Sequence, residues 1–316
     1  MRVAPRVHVS LPLSGRFAAA GGDVLRGAQL AAEAAGDDAV ELVVVDSAPD
    51  DRDDAAEAHA RAAAADPRAL AYLGDHHSSQ VERTAPILAA AGMLAVAPVA
   101  TKTGLGGATL VRLTPDDAAG AAAAAGWMAA HDVEEVLVVH DHDHDYGTPV
   151  GAMAAAAARE RGLRVRARRV WDHHEPPAAD LGGAQAVLYV GVAGSGAAGL
   201  WRDLHAADPR LWLLGSDGVA QAWLARELDA GPAARTRFFV GARAPLALYG
   251  HAAMAHVLDA LAAGGGDRAA VAAAGRDTRE RASAVGRYAL DADGLTTLPY
   301  GRMAVVDGAL VWDTAG

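Results

Sequence analysis

The sequence predicts an α/β fold: two doubly wound parallel-sheet lobes, with helices on the sheet faces. Three observations carry this. Short apolar runs alternate with segments of helical period along the chain, the pattern of parallel strands joined by right-handed crossover helices. The strand-like runs are rich in valine and leucine with little polar alternation, as expected of strands buried on both faces. The alternation restarts near residue 116, and 316 residues suit about two domains of roughly 100–200 residues each.

The elements follow in order. Residues 7–12 are a first strand, and Ser14-Gly15 turns the chain. Residues 24–35 read as helix, because Val24, Ala28, Leu30, Ala31 and Ala34 fall at helical spacing. The strand 40–45 ends at Asp46, and the helix 50–65 opens on acids, which suit a helix N-terminus. Strand 70–73, helix 80–91 and strand 94–97, stopped by Pro98, complete the first series. The second series is helix 116–130, strand 133–140, helix 146–161, strand 164–170, strand 186–190, helix 197–206, strand 211–214, helix 219–228 and strand 238–240. A long helix spans 249–263, Gly264-Gly-Gly266 reads as a linker, and a last helix is expected near 278–285. Asp293-Gly294 and Asp307-Gly308 are hairpin-type turns, the second between strands 303–306 and 309–312. In open sheets of this type ligands sit beyond the carboxyl ends of the strands, so the loops after each strand are where function belongs.

Composition excludes several classes. The net charge of −11 argues against a nucleic-acid binder, which needs a basic footprint. The absence of cysteine removes disulfide scaffolds, thiolate metal sites and cysteine nucleophiles. Aromatic residues are only 5%, so alanine, leucine and valine carry the core. No uncharged apolar run reaches the roughly 18 residues of a membrane span. The opening residues lack the apolar core and cleavage site of a leader. There is no G-x-x-x-x-G-K-[ST] or G-x-S-x-G motif, and Gly191 to Gly196 does not have the dinucleotide glycine order. The arginines at 159–169 read as a solvated face.

The strand-end loops carry a set of motifs in a consistent order. Leu11-Pro-Leu-Ser-Gly15 is followed by Gly21 and Gly27-Ala28. Asp46 precedes an alanine-rich helix. Gly74-Asp-His-His-Ser78 leads to Ala91-Gly92 and Ala97-Pro-Val-Ala-Thr101. Val111-Arg112, Asp145-Tyr146-Gly147, Leu214-Gly-Ser-Asp-Gly218 and Leu290-Asp-Ala-Asp-Gly294 follow. In this order and spacing the chain resembles type I periplasmic binding proteins, specifically the branched-chain amino acid (Leu/Ile/Val) ABC transporter substrate-binding proteins.

The resemblance implies two lobes joined by hinge strands and closing on a small molecule without catalysis. Lobe 1 would comprise 1–116 with 245–285, and lobe 2 would comprise 117–244 with 286–316. Carried over, Ser78 and Thr101, with the backbone of Val99 and Ala100, receive the ligand's carboxylate, and His77 and Ser79 lie in the same loop. Hydroxyls and N–H groups ahead of a helix suit an anion. Asp217 corresponds to the acidic partner of the ligand's ammonium, and Tyr146 to a tyrosine contact. The departures concern the pocket. Ala193 stands where the family has an aromatic contact, 218–249 is short and lacks a tyrosine-bearing helix, and the Y-D-A motif reads His251-Ala-Ala253.

Each of these residues also has a plainer reading. Ser78 and Thr101 suit helix caps, Asp217-Gly218 suits a turn, and Tyr146 suits packing. His140-Asp-His-Asp-His-Asp145 invites a metal, but a solvated loop is the reading adopted, so no metal or other cofactor is expected. His76 or His77 touching the ligand would make binding depend on pH near about 6–7. The functional expectation is an extracytoplasmic solute-binding protein for an amino acid or related zwitterion, with an ABC permease as partner and no nucleic acid. A cytoplasmic amide or amino-acid sensor on the same fold is the alternative, favoured by the absence of a leader. A metal-dependent hydrolase using the histidine clusters is the third reading.

Overall fold

The computed structural model describes residues 4–36, 38–49, 55–141, 146–171, 181–191, 196–242 and 244–313. The chain separates into two compact units, Met1–Asp116 with Ala244–Leu298, and Asp117–Arg243 with Pro299–Gly316.

The first unit opens with β1 (Arg6–Leu11), α1 (Ala18–Ala35), β2 (Glu41–Asp46), α2 (Ala55–Ala65), β3 (Ala69–Leu73), α3 (Ser78–Ala90), β4 (Leu94–Ala97) and β5 (Leu110–Arg112). These strands form a parallel sheet of order β2-β1-β3-β4-β5. The chain winds outward in both directions from β1, so the loops after β1 and β3 diverge where sheets of this order leave room for ligands. On β1, Val7, Val9 and Leu11 are fully buried, as the apolar run predicts. The strand β5 has no counterpart in the sequence reading, because three residues between loops carry too little pattern to identify.

The second unit follows with α4 (Asp117–Ala130), β6 (Glu135–His140), α5 (Gly147–Glu160), β7 (Arg164–Val170), β8 (Ala186–Val190), α6 (Ala197–Ala207), β9 (Trp212–Gly215), α7 (Ala222–Glu227), α8 (Ala230–Ala234) and β10 (Thr236–Val240). Leu137 and Val139 of β6 enter one core cluster with Trp171, Trp201 and Phe238. Val136 and Val138 enter another with Trp127, Met128 and Phe239. The strand is therefore apolar on both sides, which is why its sequence shows no polar alternation. The expected helix over 219–228 is instead a 3-10 turn at Asp217–Val219 followed by the short α7. The backbone is extended at both Gln221 and Leu228, which confines α7 between them.

The chain then returns to the first unit with α9 (Leu246–Gly264), α10 (Arg268–Gly275), β11 (Arg281–Ser283) and β12 (Gly286–Tyr288). By length and apolarity α9 could cross a membrane. Here it packs on α1, α10, β3 and β4 as a core helix. Its approach to α1 is close. A Cβ on Gly27 would fall 1.7 Å from Ala247 O, and one on Gly250 would fall 1.9 Å from Val24 O. The helix expected near 278–285 is corrected to the β11–β12 hairpin. The last helix lies earlier, where the Asp267 side chain accepts from Ala270 N and caps α10. Residues 286–298, assigned by the sequence to the second lobe, pack with the first unit. The Arg112 backbone holds them there, its N–H donating to Gly294 O at 2.8 Å and its carbonyl accepting from Thr296 N at 3.0 Å.

The chain finishes in the second unit with β13 (Gly301–Val306) and β14 (Ala309–Trp312), turned by Asp307 and Gly308 with φ of 49° and 73°. That is the doubly positive turn an Asp-Gly hairpin requires. The sheet order is β14-β13-β10-β9-β8-β6-β7, antiparallel only at the β13 pairings.

Candidate functional site

In the first unit, the loops after β1, β3 and β4 lie side by side because those strands are neighbours. Asp75 anchors the loop after β3. Its fully buried carboxylate accepts from Ser10 Oγ at 2.5 Å, Thr84 Oγ1 at 2.7 Å and the Tyr72 hydroxyl at 3.0 Å. Burial pushes its pKa up, and these three donors oppose the rise. His77 follows in extended conformation ahead of α3, and its carbonyl accepts from Gln80 N and Val81 N.

The Ser78 hydroxyl does not cap its own helix. It accepts from the Lys102 N–H at 3.1 Å and so ties α3 to the loop after β4. That loop is fixed from below. Ala100 is buried and its carbonyl accepts from Thr114 Oγ1 at 3.3 Å, while the buried Arg112 donates to Lys102 O at 2.6 Å. Ser78, Ser79, Val99 and Thr101 remain half-buried around this junction, so the structure brings the first-unit residues together as a group. Asp46, at the end of β2, instead accepts from Leu13 N, Ser14 Oγ and Ala48 N and shapes the loop after β1.

One residue here escaped the sequence reading. The Phe17 ring lies 4.5 Å from that of His77, edge to face, and 6.1 Å from that of His76, with the two imidazoles 5.0 Å apart. An aromatic just after Ser14-Gly15, in a chain with three phenylalanines, was the available signal. Burial, and then the neighbouring His77, hold His76 down to about 3.

In the second unit, β6, β8 and β9 are adjacent, and their carboxyl ends gather Asp141, Gly191 and Ser216-Asp217. The Tyr146 hydroxyl donates to Asp217 Oδ1, which also accepts from Gly218 N at 2.9 Å. The Ser216 hydroxyl sits 3.3 Å from Gly191 N and 3.4 Å from Gly191 O. Close packing of these loops depends on bare backbone: a Cβ on Gly218 would fall 2.3 Å from Gly191 O, and one on Gly147 would fall 1.7 Å from Asp141 Oδ1. Asp141, which the sequence reading treated only as part of the solvated histidine run, therefore lies against Gly147 and Gly191. Burial raises the pKa of Asp217 against the hydrogen bonds that stabilise its charge, and burial with the nearby Asp217 and Asp117 raises that of Tyr146. The first unit thus offers hydroxyls and a helix N-terminus, and the second offers a carboxyl–phenol pair.

Residues 6–225 match the sequence profile of the family described as periplasmic binding protein. The chain belongs to that family. Solved structures share the periplasmic binding protein fold. The leucine-binding protein of Thermotoga maritima is 22% identical with a TM-score of 0.79 over 98% of each chain. A branched-chain amino acid transporter substrate-binding protein of Streptococcus pneumoniae, in complex with isoleucine, is 19% identical, with a TM-score of 0.78 over 98% of this chain and 100% of that one. A solute-binding protein of R. palustris, in complex with 4-hydroxybenzoate, is 16% identical, with a TM-score of 0.80 over 98% of this chain and 95% of that one. No curated protein matches the chain.

Several expectations for this periplasmic binding protein lie outside the described residues: Ala193, the histidines and aspartates of 142–145, and, among the histidine clusters of the hydrolase reading, Asp172-His-His-Glu175. Of the histidine run, His140 is described and buried, with Nδ1 2.8 Å from the Asp141 carbonyl. Among the described residues no group of three or more His, Asp or Glu side chains is placed to hold a metal.

Proposed function

We propose that this protein is the solute-binding component of an ABC importer, acting outside the cytoplasm and carrying out no chemistry on its ligand. The observation that carries the reading is the Tyr146–Asp217 pair at the carboxyl end of β9, in a chain of this family. Asp217 takes the ligand's ammonium, and the Tyr146 hydroxyl fixes which Asp217 oxygen remains for it. The ligand's acid group goes to Ser78, Ser79 and Thr101, with the backbone of Val99 and Ala100. Ser78 accepts from Lys102 N, which leaves its own O–H to donate. His77 lines the body of the ligand.

A second ligand class is favoured by the cluster of Phe17, His76 and His77. Three rings in mutual contact offer a stacking surface to a flat molecule, which suits an aromatic acid better than a branched aliphatic side chain. A thermal-shift series with leucine, isoleucine, valine, benzoate and 4-hydroxybenzoate tests both, because a ligand well above its Kd raises Tm by mass action. If the ligand is an amino acid, the response shrinks strongly in Asp217→Asn. If it is an aromatic acid, the response survives that substitution. No shift with any of these acids would overturn the assignment of the acid-receiving loop. Binding of an uncharged amide alone would favour the sensor reading.

A further inference from the structure

Away from the strand-end loops, the first unit buries a run of titratable side chains that solute binding does not use. Side chains alternate along a strand, so Arg6, His8 and Ser10 of β1 share one face. Asp66, just after α2, accepts from the Arg68 N–H at 2.9 Å and from Arg6 Nη1 at 3.1 Å. The Arg68 N–H foremost, with Arg6 and His8, holds the Asp66 carboxyl down to about 2 against burial. An ionised carboxylate only accepts, so His8 Nε2, 3.3 Å from Asp66 Oδ2, carries the proton. When His8 is neutral its Nδ1 is an acceptor, and His59 Nε2, 3.0 Å away, donates to it. His59 Nδ1 is left as a bare lone pair, buried and without a hydrogen-bond partner among the described residues.

We propose that His8 and His59 form an acid-sensing couple within the first unit, in which an entering proton breaks or reverses this chain of hydrogen bonds and loosens β1 from α2. Both routes of protonation end badly. A proton on His59 Nδ1 creates a buried N–H with no acceptor among the described residues. A proton on His8 Nδ1 turns that nitrogen into a donor, so His59 must accept at Nε2 and shift its own proton to Nδ1, leaving the same unmatched N–H. A buried donor left unpaired loses its hydration without return.

The surrounding charges give no relief. Arg6 on β1 pairs with Glu41 on β2 and with Asp66, and Arg68 pairs with Glu41. On β3 the Tyr72 ring lies 5.7 Å from that of His59, with its hydroxyl committed to Asp75. From α3, Arg83 acts on Asp75. From α10, Arg268 holds the carbonyls of Ala64 and Asp66 at the end of α2. Among these described residues, each carboxylate facing the pair already has its own partner. Its burial and the neighbouring His8 hold it down to about 4. The next residue on the same face, Ser10, bonds Asp75 at 2.5 Å, so a displacement of β1 is passed to the loop that opens α3.

Because the folded pKa lies below the ordinary histidine value, this contribution to stability is complete above about pH 6.5 and is lost on falling toward 4. Urea unfolding of the full chain between pH 7.5 and 4.5, with His59→Gln as comparison, reads it directly, because the amide keeps a donor to His8 at every pH. Below about pH 6.5 the wild-type unfolding constant should rise by up to about tenfold per pH unit beyond that of H59Q, whereas parallel profiles would overturn the proposal. If H59Q does not fold, ring-nitrogen NMR of the wild-type protein decides. The proposal requires the Nε2–H tautomer at His59 at pH 7 and a midpoint well below 6. A proton on Nδ1, or a midpoint near 6.5, would sink it.

Discussion

In the first unit the loop after β4 is held by its own neighbours, with Ser78 on Lys102 N, Thr114 on Ala100 O and Arg112 on Lys102 O. Together with the N-terminus of α3 it presents donors, hydroxyls and backbone N–H groups. In the second unit the loop after β9 presents a carboxyl that burial works to keep neutral and a phenol that donates to it. The scaffolds are closely similar, with parallel strands whose carboxyl ends lie side by side, so the difference comes from a few side chains. The first unit offers donors that suit an acid group, and on the proposed reading the second offers Asp217 to an ammonium. A zwitterion would use both, and an aromatic acid would use chiefly the first.

Acidification should separate the units most strongly. Besides His59, the first unit holds His256, whose ring sits between the Tyr288 hydroxyl and Gly275 O and is lowered by burial to about 4. With His76, held down to about 3, these depressed histidines withdraw stability as pH falls from about 6.5 toward 4, up to about 1.4 kcal/mol per pH unit for each proton. Asp75, with its raised pKa, opposes this at the acid end of the window. Amide exchange at pH 5 should therefore accelerate in β1, β3 and α9 before β6 and β8, and uniform acceleration would refute the contrast.

Backbone contact gives the next largest effect. Gly27→Ala should cost about 3 kcal/mol, the upper part of the overpacking range, because the new methyl meets helix backbone rather than a side chain that can turn. Chemical denaturation measures it, and a loss under 0.5 kcal/mol would mean that α1 and α9 can shift apart freely. On the ligand side, Asp217→Asn should weaken an amino acid by about 2 kcal/mol, the usual worth of a charged hydrogen bond, and benzoate hardly at all. Ser78→Ala should cost either acid about 1 kcal/mol, through one lost donor and a looser Thr101 loop. Calorimetry that ranks these two variants the other way for leucine would reverse the assignment of charge to the units.

Much of the fold was legible because the α/β alternation is written in apolar period. The strands with two buried faces, β6 and β8 above all, read as uninterrupted apolar runs, and Asp307-Gly308 specified its hairpin. For the candidate site, the motifs placed Ser78, Thr101, Tyr146 and Asp217 in loops between strand and helix, and that placement was legible. The misreadings share a cause. The helix expected near 278–285 became a hairpin, and Gly264 to Gly266, which reads as a linker, leads into α10 once Asp267 supplies a cap. Both depend on where a neighbouring element lies rather than on local pattern. The same holds for residues 286–298, drawn to the first unit by backbone bonds to Arg112.

What the sequence determined by itself, then, is the order of strands and helices, the absence of thiol chemistry, and which loops stand at strand ends. These follow from periodicity and residue type, which are local. Only the tertiary structure decided that Ser78 ties down a second loop, that Phe17 joins His76 and His77, that the Tyr146 hydroxyl is given to Asp217, and that His59 ends a proton chain beginning at Asp66. Each of these is a contact between residues far apart in the chain, and its energy depends on distance and burial that no local pattern encodes.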